Sequence, residues 1–222
     1  GGIFYWRGEQ AKITIKPWAP WHGEIALGGK TSMEIATADG AYNLSGSVEK
    51  FNLFINPGST LPDNIKIDIE NLNLASGRSS SEIIKADEIK INMVSNVDAG
   101  KSAAAIKITT MLKNIIMPWG DSMPISNHFQ MAEFSGKISG PITISDKIKT
   151  TLKTTLSNWR DSGGKIMVDN IVLHGAPLSI SGSGNIYLDK NMQPAGRLTA
   201  KIIGLLPTIN RFRDAGLIRD SD

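Results

Sequence analysis

The chain has no cysteine among its 222 residues. Disulfides, thiolate zinc sites and redox-active dithiol motifs are therefore excluded, although the absence leaves the cellular compartment open. Aromatic residues make up only 6% of the chain, and no apolar run approaches the ~20 residues that a membrane-spanning helix needs.

Residues with catalytic potential are also sparse. The histidines, His22, His128 and His174, are far apart and lack the paired spacing of metal ligands. Ser135 and Ser181 lack the glycine two positions earlier that a nucleophile elbow requires. The sequence therefore predicts no catalytic residue, no metal site and no cofactor. A hydrolase is the third hypothesis, which a close cluster of histidine with serine or carboxylate would support.

Phosphate and nucleic-acid binding are disfavoured in the same way. Gly28-Gly29-Lys30-Thr31 resembles the end of a phosphate-binding loop, but Glu24 occupies the position of the first glycine. The net charge is +3, and lysine and arginine are dispersed singly along alternating segments. This pattern favours a solvated sheet face and no nucleic-acid partner.

The chain is rich in short segments where apolar and polar residues alternate, beginning with Ile13 and Ile15. Such alternation predicts β-strands, and turn residues between the segments predict an antiparallel meander. Asp39-Gly40 is the strongest hairpin signal. The apolar phase changes between Val48 and Phe51, so we predict a bulge or bend near Glu49-Lys50.

Residues 146–161 carry the clearest helical pattern, which Gly163-Gly164 ends. Trp159 is predicted to anchor this helix on the sheet. Gly182 and Gly184 lie on the apolar face of a later strand, and the gap that they leave is predicted to receive Trp159. A second, short helix is predicted over 205–218. The predicted structural residues are Trp159, Gly163, Gly164, Gly182 and Gly184.

The predicted fold is mainly β with one or two helices (α+β). An antiparallel meander forms a curved sheet or sandwich, with helix 146–161 packed on it. Prolines and glycine interrupt the strand pattern after 116, which divides the chain into an N-terminal β-meander part (1–116), a connection (117–133) and a C-terminal strand-helix-strand part (134–222). One continuous domain is the alternative.

Three tryptophans lie in predicted loops rich in proline or glycine. Trp18 and Trp21 fit either a plug at one end of the core or a stacking platform for a ligand. The candidate ligand or partner contacts are Trp18, Trp21 and Trp119.

Residues 158–204 also carry a family resemblance. They contain, in order, Asn158-Trp159-Arg160, Gly163-Gly164, His174-Gly175-Ala176-Pro177-Leu178, a Ser-Gly-Ser-Gly run, Leu188-Asp189 and Gln193-Pro194-Ala195-Gly196. This pattern resembles the bacterial envelope family catalogued as domain of unknown function 2125, which is distantly AsmA-like. Family members often carry Trp-Gly where this chain has His174-Gly175.

The resemblance implies an alphaproteobacterial protein with a periplasmic β-rich body and an N-terminal inner-membrane anchor. The anchor is absent from this sequence, and the family pattern implies a chain trimmed at both ends. The family has no established catalytic residues to carry over.

Two functions are consistent with these expectations. The first is a non-catalytic periplasmic protein that binds or shields a lipid or other apolar ligand in a β-groove. The alternative is a structural or interaction module that docks another envelope protein through sheet edges or loops. An open groove favours the first function, and a sandwich with a filled interior favours the second.

Overall fold

The computed structural model describes residues 3–16, 19–37, 40–58, 62–76, 79–96, 104–118, 126–140 and 152–218. Their strands are β1 (Ile3–Lys16), β2 (Ala19–Thr37), β3 (Gly40–Asn56), β4 (Asn64–Ser76), β5 (Ser79–Ser95), β6 (Ala104–Ile116), β7 (His128–Ser139), β8 (Lys165–Gly175), β9 (Leu178–Leu188) and β10 (Pro194–Ile203). Their helices are α1 (Leu152–Asp161) and α2 (Leu205–Asp214).

The strands form one antiparallel sheet in which each strand pairs with its neighbours in sequence, in the order β1 to β10. This confirms the predicted meander. The structure lengthens several predicted segments: β2 joins the runs at 24–27 and 32–37 into one strand of 19 residues. Residues 28–31, which resemble the end of a phosphate-binding loop, therefore lie inside a strand.

The predicted connection 117–133 is too long. β7 already begins at His128, and Phe129 pairs with Ile115 of β6. Phe129 and Met131 alternate with polar residues, which is a strand pattern, whereas the prolines before them favour a loop. The sheet runs from β6 into β7 without a break, as the single-domain alternative expects, whereas the division into domains stays a prediction.

The sheet is a single layer. β1 and β10 are its edges, and they do not pair with each other. Within the described residues, extensive contacts occur only between neighbouring strands. Of the two predicted forms, the structure is therefore the open sheet rather than the sandwich.

The predicted bulge lies in β3. Leu27 pairs with Phe51, whereas Gly29 pairs with Val48. β3 therefore contains one more residue than β2 between these two pairs. A bulge bends its strand and increases the local twist, so β3 bends at this point.

The bulge belongs to a line of backbone irregularities that crosses β2 to β6. Gly29 and Asn71 have positive φ angles of 82° and 51°, and Asn114 has one of 47°. Carboxylates from the adjacent strands hold the two asparagines. Glu49 accepts a hydrogen bond from Nδ2 of Asn71, and Oδ2 of Asp87 accepts one from Nδ2 of Asn114 at 2.6 Å. We call this feature the bend line.

The best-buried apolar cluster spans the bend line. Val48 and Leu74, which are each 1% exposed, lie on one side of the line. Phe51 and Ile69 lie on the other side and belong to the same cluster. The apolar side chains of β3 and β4 therefore stay on one side of the sheet, although the alternation of apolar and polar residues changes phase.

Helix α1 is held at the end of the sheet where β7 stops and β8 starts. Nε1 of Trp159 donates a hydrogen bond to the carbonyl of Ser139 at 2.9 Å, and the side chain is only 9% exposed. A Cβ atom added to Gly164 would lie 2.2 Å from the indole. Trp159 therefore holds α1 at this end of the sheet, and Gly163, with a φ of 80°, ends the helix. Residues 146–151 of the predicted helix lie outside the described residues.

The predicted role of Gly182 and Gly184 is wrong. Trp159 does not fill the space above them, because α1 lies at the end of the sheet whereas both glycines lie inside β9. A Cβ atom at Gly182 would lie 2.7 Å from the carbonyl oxygen of Thr199, and one at Gly184 would lie 2.2 Å from that of Arg197. The glycines therefore allow the backbones of β9 and β10 to approach closely.

Candidate functional site: an open apolar face

Paired residues on neighbouring strands point to the same face of a sheet, so the pairing can be followed across the strands as rows. The central row crosses all ten described strands and is apolar apart from Thr110. Its members, from β1 to β10, are Ile13, Ile25, Leu53, Ile67, Ile91, Thr110, Phe134, Ile171, Gly182 and Ala200.

A similar row lies on each side of the central row, two residues away along every strand except at bulges. One consists of Ala11, Leu27, Phe51, Ile69, Ile89, Leu112, Ala132, Leu173, Ile180 and Ile202. The other consists of Ile15, Gly23, Ile55, Ile65, Met93, Ile108, Gly136, Val168, Gly184 and Leu198. We call these three rows together the apolar face.

The apolar face is open along much of its length. Leu53, Ile67 and Ile91 in the middle of the central row are only half-buried. Exposure increases towards the sheet edges, reaching 67% at Ile13 and 41% at Ile171. The inward side chains of a sandwich are covered by a second sheet. Here the described residues provide no second sheet, so the side chains of the central row remain partly accessible, whereas Phe51, Ile69 and Val168 in the adjacent rows are buried.

The dimensions of the apolar face follow from strand geometry. Three rows separated by two residues span ~14 Å along the strands, and ten strands span roughly 43 Å across them. The result is a strip on the order of 600 Å². Exposed apolar patches larger than a few hundred Å² often mark an interaction site, and the exposed part of this strip is of that kind.

The opposite face carries ion pairs within and between strands. Oε2 of Glu88 lies 2.6 Å from Nζ of Lys113, and its other oxygen pairs with Lys90. Hydrogen bonds from Lys113 and Lys90 lower the pKa of Glu88 to about 2. A hydrogen bond from Lys50 to Glu70, with Nζ and Oε1 2.6 Å apart, raises the pKa of Lys50. This is the solvated face that the dispersed lysines predict.

His174 and Ser179 meet the condition stated for the hydrolase hypothesis, which is a histidine close to a serine. Nδ1 of His174 and Oγ of Ser179 are 2.8 Å apart. The two residues are also direct cross-strand partners beside the turn between β8 and β9. Within the described residues, no carboxylate is hydrogen-bonded to either of them. The geometry is that of a polar cross-strand pair in a hairpin.

A metal centre has no candidate in the part of the chain that the structure describes, where no three His, Asp or Glu side chains are grouped to hold an ion.

The predicted ligand or partner contacts are not described: Trp18 and Trp119 lie outside the described residues. Trp21 lies in β2, but its side chain is not described.

Sequence reasoning missed an exposed surface at the β10 end of the sheet. Leu206 is 73% exposed and Leu217 is 60% exposed, and the basic residues Lys201 and Arg211 are exposed nearby in sequence. A signal was present: no Asp or Glu occurs between Asp189 and Asp214, whereas five Lys or Arg residues do.

The family model for domain of unknown function 2125, described as an uncharacterized protein conserved in bacteria, matches residues 2–222. The chain belongs to this family. The match extends the resemblance seen at 158–204 to nearly the whole DUF2125 chain. No curated protein and no solved structure matches it. Neither described helix of this DUF2125 protein is long and apolar enough to cross a bilayer.

Proposed function

We propose that this DUF2125 chain is a non-catalytic periplasmic envelope protein that binds or shields a lipid, or another apolar ligand, in a groove formed by the apolar face. The observation that supports this most is the open single-layer sheet, whose three apolar rows run from one edge to the other. A water-soluble sheet gains stability when such a face is covered, and an apolar ligand can cover it.

The dimensions of the face suit acyl chains. Half of the ~30 Å hydrocarbon core of a bilayer is ~15 Å, which approximates the reach of one acyl chain. The strip is ~14 Å wide and roughly 43 Å long. Several chains can therefore lie side by side on it, with their polar headgroups at the rim of the sheet.

The bend line supports a concave shape. Positive φ angles at Asn71 and Asn114 and the bulge in β3 lie at matching levels of neighbouring strands. Strands that bend together curve the whole sheet, whereas a single bent strand would only break the pairing. The periplasmic location and the inner-membrane anchor belong to the proposal and are supported by the family resemblance.

Purified protein provides the test. We expect native mass spectrometry to detect co-purified lipid, and we expect a fluorescent fatty acid to bind saturably to protein from which lipid has been extracted. Protein that carries no lipid and takes up no fatty acid would contradict the proposal.

The second candidate function is docking of another envelope protein through the sheet edges, and one observation favours it. Both edge strands expose apolar side chains: Ile15 of β1 is 57% exposed, and Leu198 of β10 is 61% exposed. Open edges also present unpaired backbone groups to a further strand. Pull-down from crosslinked membranes should then recover a specific partner, and its failure to do so would exclude this function.

A further inference from the structure

The β10–α2 patch is an exposed surface at one end of the apolar face. It consists of Lys201, Ile203, Leu205, Leu206, Arg211 and Leu217, all of which are exposed. Lys201 and Ile203 share the outer side of β10, away from the apolar face, because they are two residues apart on one strand. Leu205 follows directly at the start of α2.

The orientation of α2 is fixed by its inner side. Thr208 is buried, and Ile209 and Phe212 are half-buried, so these residues mark the side turned towards the protein. Leu206 and Arg213 lie seven residues apart, which places both on one flank of the helix. An exposed leucine and an arginine therefore lie on the same flank of α2, two helical turns or about 10 Å apart.

The β10–α2 patch is mainly basic. From Lys201 to Leu217 the chain carries three basic residues, Lys201, Arg211 and Arg213, and one acidic residue, Asp214. Large apolar side chains mixed with basic ones are typical of surfaces that lie on anionic lipid headgroups. An acidic protein partner would match the charge, but it would leave Leu206 without a matching group.

We propose that the β10–α2 patch docks on the surface of an anionic phospholipid bilayer. The proposal rests on the lipid-binding function given above and adds the place where lipid enters or leaves. The rows of the apolar face end at β10 in Leu198 and Ile202, which are 61% and 45% exposed. A bilayer in contact with the patch therefore lies beside the open end of the groove.

Co-sedimentation with vesicles tests the docking step. The full chain should bind vesicles that contain phosphatidylglycerol and should bind pure phosphatidylcholine vesicles weakly. Leu206→Asn should weaken binding about tenfold, because most of this side chain is free to enter the lipid. Arg211→Gln should weaken binding about fivefold, and added salt should reduce this effect. Val94→Asn and Lys107→Gln, which replace exposed residues of the opposite face far from the patch, are the matched controls and should bind like the wild type.

A fatty-acid uptake assay without vesicles separates the two proposals. Leu206→Asn and Arg211→Gln should take up a fluorescent fatty acid normally. Vesicle binding without any uptake would overturn the groove and leave docking standing. Equal binding to both kinds of vesicle, or equal losses in the patch and control variants, would overturn docking. Another outcome is binding of the chain to polyglutamate and not to vesicles. If Arg211→Gln abolishes this binding and Leu206→Asn keeps it, docking on a bilayer is overturned in favour of an acidic protein partner.

Discussion

Ile171 and Tyr187 give a matched test of the apolar face, because each is 41% exposed and they lie on opposite faces of neighbouring strands. Full burial of an isoleucine side chain is worth ~2.5 kcal/mol. Covering the exposed two-fifths of Ile171 with an acyl chain should then contribute about 1 kcal/mol to binding. We expect Ile171→Asn to weaken fatty-acid binding about fivefold and Tyr187→Asn to leave it unchanged.

Fluorescence titration with a fatty-acid probe measures both dissociation constants, and thermal unfolding shows that both variants are folded. Ile13→Asn extends the test to the other edge of the sheet, where 67% of the side chain is exposed. The reasoning would be refuted by saturable binding that Ile171→Asn does not weaken, or by equal losses for Ile171→Asn and Tyr187→Asn.

Three further predictions concern stability. Glu88 has a lowered pKa of about 2, so its ion pairs stabilise the fold above its ordinary pKa of 4.5 and lose that effect as the pH falls towards 2. The difference in melting temperature between wild type and Glu88→Gln should therefore be constant near neutral pH and shrink in acid. A difference that persists in acid would contradict this. Gly164→Ala places a Cβ atom 2.2 Å from the indole of Trp159 and should lower the melting temperature by ~6 °C or more. Gly163 has a φ of 80° and no atom within 4 Å of an added Cβ atom, so Gly163→Ala should lower the melting temperature by ~3 °C. The reverse order would exclude the packing described for Trp159. Trp159→Phe removes the hydrogen bond to Ser139 and should lower the free energy of unfolding, measured in urea, by about 1 kcal/mol. A variant as stable as the wild type would show that this bond does not contribute to stability.

Most of the strands and their order could be predicted from the sequence, because alternation with a period of two is present in most segments. The bulge in β3 could be predicted in the same way, since apolar residues change from even to odd positions between Val48 and Phe51. Trp159 and the glycines after it were also readable, because a helical stripe followed by Gly163 specifies where a helix ends and which side chain it buries.

The layer arrangement could not be predicted. Alternation shows that one face is apolar but does not show what covers it, so the sheet and the sandwich predict the same pattern at Leu53 or Ile67. The same limitation explains the error at Gly182 and Gly184. Two glycines on one face of a strand indicate that another group approaches closely, and only the structure shows that this group is the backbone of β10.

Only part of the candidate site could be predicted from the sequence. The apolar residues of each strand were identified singly, whereas their alignment into rows depends on the register between strands. The β10–α2 patch could not be predicted from charge clusters, because its basic residues are spaced singly along the chain. The informative feature was the lack of acidic residues from Lys190 to Arg213.

The ten described strands are an even number, and this fixes how the sheet could be extended. Nine successive reversals leave β1 and β10 running in opposite directions with their apolar sides on the same face. A further hairpin added at either edge would continue the antiparallel pairing and lengthen the strip by ~9.6 Å. The width of the apolar face would stay the same, so its length is set by the number of hairpins.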